Sequence, residues 1–165
     1  CMLPIPCGQS IPRPIVTANL LRALQIAPGK AARVLLIGSG SGYMAALLSQ
    51  TCRHVYGVER YERLVEQSRA RLEELGVDNV TIRHGNGLAG LPQHGPLDRI
   101  LLSGAIKTLP AVLIEQLAKD GLLVTPIESS KGPQILRTVS ESRDVLDEPM
   151  PDRLALLSES SALTL

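Results

Sequence analysis

The sequence predicts an α/β protein with a doubly wound, mainly parallel sheet that carries an antiparallel hairpin at one edge. From residue 14 to residue 126, short runs of Leu, Ile and Val alternate with longer helical patterns, as strands and helices do in such sheets. Aromatic residues make up only 2% of the chain, so the core must be aliphatic, which suits layers of helices and sheet. After residue 126, two strand-like segments follow without an intervening helix, and this change of rhythm predicts the edge hairpin.

The first half of the chain reads as a loop followed by alternating helices and strands. Residues 1–13 are rich in Pro and Gly and are predicted to be loop. Pro14 suits the first position of a helix, and the apolar residues after it have helical spacing until "APGK" at 27–30 ends the pattern. The run "ARVLLIG" (32–38) predicts a fully buried strand. Further elements are predicted at 43–51 (helix), 54–59 (strand) and 63–76 (helix ending at Gly76).

The second half continues the alternation and then departs from it. Strands are predicted at "NVTIRHG" (79–85), "DRILLSG" (98–104) and "LLVTPI" (122–127), with a helix at 109–121 that ends in Gly121. The edge hairpin is predicted to pair a strand at 133–139 with a last strand within 153–165. The polar, Pro-containing residues 140–152 are expected to be irregular.

Composition and charge narrow the class of protein. The 17 basic and 16 acidic residues are evenly mixed, so neither nucleic-acid binding nor an anionic membrane surface is predicted. No apolar run is long enough to span a bilayer, and no signal peptide is predicted from the given residues. The cysteines (Cys1, Cys7 and Cys52) have no metal-ligand spacing and are expected to be reduced thiols of a cytoplasmic protein.

Length and the first residue bear on domain organisation. At 165 residues the chain suits one domain, residues 1–165. Because it begins with Cys1 rather than Met, we expect an N-terminal segment to be missing.

The three histidines (His54, His84 and His94) show no ligand spacing and are expected to have structural or surface roles, so no metal site is predicted. The sequence predicts no oligomeric state.

The stretch "VLLIGSGSGYMAALL" (34–48) is the first candidate for chemistry. Glycines at 38, 40 and 42 follow a buried strand and precede a helix, which is where open α/β sheets bind the polar parts of ligands. The spacing differs from the dinucleotide fingerprint, because the third glycine comes one residue early and Tyr43 takes its place. On this motif alone, a tight strand-to-helix turn without a ligand remains an alternative.

Two further loops strengthen the interpretation of a nucleoside site. Glu59 ends the next strand, 21 residues after Gly38, where a carboxylate can accept hydrogen bonds from both ribose hydroxyls. The alternative is an exposed strand-end carboxylate paired with Arg60 or Arg63. The stretch "HGNGLAG" (84–90) follows the third strand of the predicted sheet, where an adenine would lie. Three successive strand ends therefore converge on an adenosine.

Together these segments resemble the protein-L-isoaspartate O-methyltransferase family, collinearly from about Leu3 to Val139. The resemblance implies the seven-stranded, Rossmann-like methyltransferase sheet and S-adenosylmethionine as cofactor, with S-adenosylhomocysteine as product. It also implies methyl transfer to the free carboxylate of isoaspartyl residues in damaged proteins, a protein repair reaction, with isoaspartyl peptides and proteins as partners. The matching segments are "GQSIPRPIVTANLL", "VLLIGSGSGY", "VYGVER", "LEELGVDNVTIRHGNGLAG", "LDRILLSGA" and "LPAVLIEQLAKDGLLVTPI".

The resemblance assigns roles to residues at the predicted site. Ser10 is the candidate catalytic residue, because its hydroxyl would orient the acceptor carboxylate. That carboxylate is already ionised at pH 7, so neither a general base nor a metal is needed. The cofactor-binding residues implied are Gln9, Ser10 and Ile11 over the reactive methyl, Gly38, Ser39, Gly40 and Gly42 at the methionine end, Glu59 at the ribose, Arg60 over the base, and Asn86 and Gly87 at the adenine.

Three positions depart from the family pattern. Pro12 stands where the family's first loop has a second hydroxyl, Leu36 where it has an acidic residue, and Asn86 where it has Asp. Each change removes a polar or charged group from one predicted pocket. Two alternatives therefore stay open: a methyltransferase that acts on another carboxylate or a small molecule, and a non-catalytic relative that serves as a binding module.

Overall fold

The computed structural model describes residues 3–5, 9–29 and 31–157, with the backbone alone for residues 3–5, 9 and 10. Strands and helices alternate through most of this part of the chain. Short 3₁₀ turns at Gly87–Ala89 and Pro92–His94 connect two of the strands. The elements are β1 (Leu3–Ile5), β2 (Gln9–Ile11), α1 (Pro14–Leu24), β3 (Arg33–Ile37), α2 (Tyr43–Ser49), β4 (His54–Glu59), α3 (Glu62–Glu74), β5 (Val80–His84), β6 (Leu97–Leu102), α4 (Ala111–Glu115), β7 (Leu117–Ile127), β8 (Ile135–Ser140) and β9 (Val145–Pro149).

In the described part of the chain, seven strands form one sheet in the order β5-β4-β3-β6-β7-β8-β9. The pairings from β5 to β7 are parallel, and β8 and β9 add two antiparallel strands at one edge. The chain leaves β3 towards β4 on one side and returns to β6 on the other. This reversal places a crevice beyond the carboxyl ends of the central strands. The predicted fold class, mainly parallel with an antiparallel edge, is confirmed.

The core lies in two layers, one on each face of the sheet. β3 explains why, because its four buried residues alternate between the layers. Val34 and Leu36 pack with α1 and α2 on one face, and Leu35 and Ile37 pack with residues of β6 and α4 on the other. A strand that is apolar on both sides must be central, as "VLLI" predicts.

The predicted helix at 109–121 is wrong in its second half. α4 ends at Glu115, and β7 begins at Leu117, which pairs with Leu97. The ladder then shifts, so that Leu122 is the next residue of β7 to pair. Between them Asp120 has a φ of 62°, which a helix cannot accommodate. Sheet pairing here overrides a helical pattern in the local sequence.

The edge hairpin is present, but its last strand comes from a different segment. The segment 140–152, expected to be irregular, contains β9, which pairs with β8 across a turn in which Arg143 has a φ of 70°. β9 is short and mostly exposed and ends in Pro, as edge strands often do, and its apolar residues Val145 and Leu146 are adjacent, so hydrophobic alternation does not reveal it. Of the predicted strand 153–165, Leu156 makes one isolated bridge to Ala105, and residues 158–165 lie outside the described part.

The N-terminal segment is also more regular than expected. β1 and β2 form a small antiparallel sheet, with Leu3 opposite Ile11, within the residues predicted to be loop. No helix in the described ranges combines the length and the apolar composition needed to cross a membrane.

Candidate functional site

A cavity of about 380 Å³ lies beyond the carboxyl ends of β3, β4, β5 and β6. Its size falls in the range of pockets that hold drug-sized ligands, roughly 300–1,000 Å³. Loops after the four strands form its floor and sides, and α1 and the segment at 153–157 complete the wall. The lining residues include Ile11, Pro12, Thr17, Ile37, Gly38, Ser39, Gly40, Tyr43, Glu59, Arg60, Tyr61, Gly85, Gly87, Ser103, Gly104, Arg153 and Leu157.

The glycine loop makes a tight turn that only glycine tolerates well. Gly38, Gly40 and Gly42 all have positive φ, at 82°, 53° and 86°. The Gly38 N–H donates to Val58 O at 2.8 Å, which ties the start of the loop to β4. A Cβ at Gly38 would lie 2.7 Å from the Ser103 hydroxyl. The loop therefore passes close to its neighbours and leaves its open side to the cavity.

Glu59 lies at the centre of the site and is 5% exposed. One carboxylate oxygen accepts from the Gly40 N–H at 2.8 Å, and the other accepts from the Tyr61 N–H at 3.1 Å. These bonds satisfy one lone pair on each oxygen and leave further acceptor capacity. Glu59 thus orders the glycine loop and still presents a hydrogen-bond acceptor to the cavity. The alternative ion pair with Arg63 is not among the ion pairs of the described residues.

The loop after β5 contributes two glycines and Leu88 to the cavity lining. A Cβ at Gly87 would lie 2.5 Å from Ile37 Cγ2, so glycine is required for this close packing. The Asn86 side chain turns to its own backbone, where its oxygen accepts from the Leu88 N–H at 3.1 Å and caps the 3₁₀ turn. Gly85, Gly87 and Leu88 line the cavity, whereas Asn86 is not among its lining residues.

The outer wall is made by residues 153–157, and three contacts hold it in place. Arg13, just before α1, donates two hydrogen bonds to Asp152, at 2.5 and 2.6 Å. These bonds, and then the charge of Asp152, raise the pKa of Arg13 above its ordinary value. Buried Gln134 donates to Leu154 O and accepts from Leu154 N, and Arg153 pairs with Glu128. The wall is therefore anchored to both α1 and the antiparallel edge.

Hydroxyl groups are unevenly satisfied around the cavity. The Ser103 hydroxyl bonds Ile37 O and Gly38 O, which fixes the glycine loop from the side of β6. The buried hydroxyls of Thr17 and Ser39 have no hydrogen-bond partner in the described structure. Both residues line the cavity. Unpaired buried polar groups are uncommon in native proteins and call for an explanation.

Arg60 and Tyr61 form the rim beside the end of β4. The Arg60 guanidinium lies 4.5 Å from the centre of the Tyr61 ring and donates to the Tyr61 hydroxyl. His84 contacts the Arg60 carbonyl oxygen at 2.9 Å, which holds the β4 and β5 ends together. A flat cationic and aromatic surface of this kind can stack on a purine.

The structure brings most of the predicted site residues together. Gly42 lies outside the lining, since it faces Ser68 of α3, and Asn86 is turned away as described. The side chains of Gln9 and Ser10 lie outside the described residues. Among the departures, Pro12 lines the cavity, whereas Leu36 is fully buried in the core. The predicted residues in the lining are Ile11, Gly38, Ser39, Gly40, Glu59, Arg60 and Gly87.

Several lining residues were not predicted. Thr17 lies within α1, and Ser103 directly follows β6. Because ligands bind beyond the carboxyl ends of parallel strands, the sequence could have indicated Ser103. Nothing in the local sequence indicates the wall at 153–157. Over the described ranges, no three His, Cys, Asp or Glu side chains are grouped as a metal ion would require.

Solved structures with this architecture define the class of protein. A chain described as a protein-L-isoaspartate O-methyltransferase superposes with a TM-score of 0.82 at 24% identity, covering 92% of this chain and 49% of that one. An S-adenosylmethionine-dependent methyltransferase from Thiobacillus denitrificans, solved with S-adenosyl-L-homocysteine, has a TM-score of 0.56 at 28% identity, covering 69% of this chain and 48% of that one. The fold is that of the S-adenosylmethionine-dependent methyltransferases.

Sequence comparison identifies the family within that class. The profile described as protein-L-isoaspartate(D-aspartate) O-methyltransferase matches residues 1–149. A protein-L-isoaspartate O-methyltransferase of Parvibaculum lavamentivorans is 39% identical over 164 residues, covering 97% of this chain and 73% of the relative. A second, from Paracoccus denitrificans, is 41% identical over 145 residues, covering 88% of this chain and 66% of the relative. The chain belongs to the protein-L-isoaspartate O-methyltransferase family.

Proposed function

We propose that this chain binds S-adenosylmethionine in the cavity and catalyses methyl transfer to the free carboxylate of L-isoaspartyl residues in damaged proteins. Membership of the family supports the reaction and the substrate. The observation that carries the cofactor assignment is Glu59, a buried carboxylate with spare acceptor capacity beside the glycine loop. A carboxylate in that place suits the paired hydroxyls of a ribose.

The residues present fit S-adenosylmethionine. Glu59 would hold the ribose, the loop at 38–40 would pass the methionine end, and Gly87 with Ile37 would border the adenine. The loss of an acidic residue at Leu36 does not leave the glycine loop without support, because Glu59 and Ser103 both bond its backbone. Asn86 would contribute indirectly, by holding the 3₁₀ turn that carries Gly87.

When bound, S-adenosylmethionine supplies a methyl group on a positively charged sulfur. An isoaspartyl carboxylate is already ionised at pH 7, so the protein does not have to remove a proton. What the chain contributes is placement: α1, Ile11, Pro12 and the wall at 153–157 line the cavity on the side where the acceptor would enter. Orientation of this kind contributes roughly 7–11 kcal/mol in favourable cases. Ser10 remains our candidate for orienting the acceptor carboxylate.

The proposed partners are isoaspartyl-containing peptides and proteins, and the proposed location is the cytoplasm. A peptide acceptor is consistent with a cavity that is open at its rim and has exposed Tyr43 and Leu156 beside it. Apolar side chains on a rim provide area for the residues that flank the modified one.

The first experiment titrates S-adenosylhomocysteine into the purified chain by calorimetry and then measures methyl transfer in the same preparation. The acceptor is a peptide with one isoaspartyl linkage, and the control is the same peptide with the ordinary aspartyl linkage. The proposal predicts saturable binding and methyl ester formation on the isoaspartyl peptide alone. Transfer to both peptides, or to neither, would contradict the substrate assignment.

One observation favours a second candidate, a methyltransferase for another acceptor. Pro12 lines the cavity and offers neither a hydroxyl nor a backbone N–H, so one donor expected beside the acceptor is missing. Binding of S-adenosylhomocysteine without transfer to the isoaspartyl peptide would favour this candidate. Restoring the hydroxyl with Pro12→Ser would then separate a weakened isoaspartyl enzyme from one with a different substrate.

A further inference from the structure

Thr17 in α1 is a buried threonine whose hydroxyl is unused. The residue is 3% exposed, and its Oγ1 has no hydrogen-bond partner in the described part of the chain. A threonine in a helix can bond the carbonyl four residues earlier, which here is that of Arg13. That carbonyl instead accepts from the backbone N–H groups of Val16 and Thr17. The hydroxyl therefore bears the cost of burial without a compensating bond.

The position of Thr17 relates this cost to the cavity. It lies in the first turns of α1 and lines the cavity together with Pro12, which precedes the helix and has no donor. The wall at 153–157 lines the same cavity. A helical threonine has two accessible χ1 rotamers, so the hydroxyl can turn towards a ligand without movement of the backbone.

We propose that the Thr17 hydroxyl donates a hydrogen bond to a carboxylate bound in the cavity. The inference rests on the proposed function, which brings two carboxylates to this site: that of the methionine end of S-adenosylmethionine and that of the acceptor. An anion is favoured here because the positive end of the α1 dipole lies nearby and the first turn of α1 contains no acidic residue. Because the Thr17 hydroxyl has no partner in the described structure, it can donate to a ligand without breaking an existing hydrogen bond.

Thr17→Val tests this inference, because it removes the hydroxyl and keeps the shape. The matched control is Thr125→Val, since Thr125 is equally buried, has a bonded hydroxyl and lies outside the cavity lining. Thr17→Ser restores a hydroxyl at the same position. A hydrogen bond to a charged group corresponds to about a 10- to 100-fold change in binding or rate.

Calorimetry with two probes distinguishes the two carboxylates. S-adenosylhomocysteine carries the methionine carboxylate, and 5′-methylthioadenosine lacks it. If Thr17 binds the cofactor, Thr17→Val weakens S-adenosylhomocysteine about 10- to 100-fold and leaves 5′-methylthioadenosine unchanged. If Thr17 binds the acceptor, both probes bind as before and kcat/KM for the isoaspartyl peptide falls by a similar factor. In either case Thr17→Ser recovers most of the loss.

Thermal unfolding separates a ligand-binding hydroxyl from a structural one. Removing an unpaired buried hydroxyl should leave the melting temperature of Thr17→Val equal to or above that of the unmodified chain. Thr125→Val should lower the melting temperature and leave both probe affinities intact. Unchanged affinities and unchanged kcat/KM in Thr17→Val would overturn the inference, as would equal weakening of both probes. If the chain binds S-adenosylhomocysteine but methylates no peptide, the proposed function alone fails. Selective weakening of S-adenosylhomocysteine by Thr17→Val would then still support the inference, and unchanged affinity for both probes would overturn it.

Discussion

Replacing Glu59 by Gln isolates what its carboxylate does for the folded chain. The carboxylate accepts one backbone N–H on each oxygen, from Gly40 and from Tyr61. Glutamine has the same shape but only one acceptor oxygen, so its amide NH₂ must face one of these N–H donors. At least one buried, charge-assisted hydrogen bond is therefore lost.

The expected loss of stability follows from these contacts. One hydrogen bond to a charged group corresponds to about 1.5–3 kcal/mol of unfolding free energy. For a chain of 165 residues, each kcal/mol shifts the melting temperature by about 2–4 °C. Glu59→Gln should therefore melt about 3 to 12 °C below the unmodified chain. Its affinity for S-adenosylhomocysteine should also fall, since the ribose would lose an acceptor.

Thermal unfolding followed by circular dichroism, with and without S-adenosylhomocysteine, measures both effects. Glu66→Gln is the control, because Glu66 is an exposed glutamate on α3. If Glu59→Gln has the same melting temperature and the same affinity for S-adenosylhomocysteine as the control variant, then Glu59 neither orders the glycine loop nor contacts the ribose. A lower melting temperature with unchanged affinity would refute the ribose assignment alone.

Three other predictions concern packing, pH and the sheet edge. Gly87→Ala should destabilise the chain by about 1–3 kcal/mol in denaturant unfolding and impair S-adenosylhomocysteine binding, because its Cβ would overlap Ile37 at the end of β3. Gly85→Ala is the control, since there is space for its Cβ, and it should be as stable as the unmodified chain. Burial lowers the pKa of His94 and of His54 below 6.5, so both bind protons more readily when unfolded. Stability should accordingly fall as pH decreases through 6.5, and a thermal-melt series for His94→Gln should show a shallower decline. Arg137→Gln removes a partly exposed ion pair between β8 and β9 and should lower the free energy of unfolding by less than about 1 kcal/mol. At high salt, where the pair is screened, the variant and the unmodified chain should be equally stable.

The sequence predicted the buried part of the fold because burial leaves a strong local pattern. β3 and β6 contain aliphatic runs between turn signals, β4 and β5 place β-branched residues between polar ones, and the structure has each of the four within a residue or two of the prediction. β9 escaped prediction because its side chains face solvent and only its partner strand gives it a defined structure. The strand that begins at Leu117 was predicted as helix, because its local pattern is helical and pairing with β6 overrides it.

The residues of the site also fall into those that the local sequence indicates and those that depend on contacts between distant segments. Loops that follow predicted strands could be placed from the sequence, since parallel strands bring their carboxyl ends to one edge. Gly38, Glu59 and Gly87 were found in this way. The wall at 153–157 and the place of Thr17 in the cavity lining depend on contacts between distant parts of the chain. The turn of Asn86 towards its own backbone is a bond that Asn commonly forms two residues on, so the residue type allowed it as an alternative to a ligand contact.

The bond from Arg13 to Asp152 joins residues 139 positions apart, and it closes the wall of the cavity. During synthesis, β3 to β6 can fold while the wall is still unmade, because their contacts lie earlier in the chain. The cavity gains its last side only after residue 157 has left the ribosome. A nascent chain should therefore be able to pair β3 to β6 before it can bind the ligand fully. Binding of S-adenosylhomocysteine should thus report completion of the chain through residue 157, not merely formation of the core.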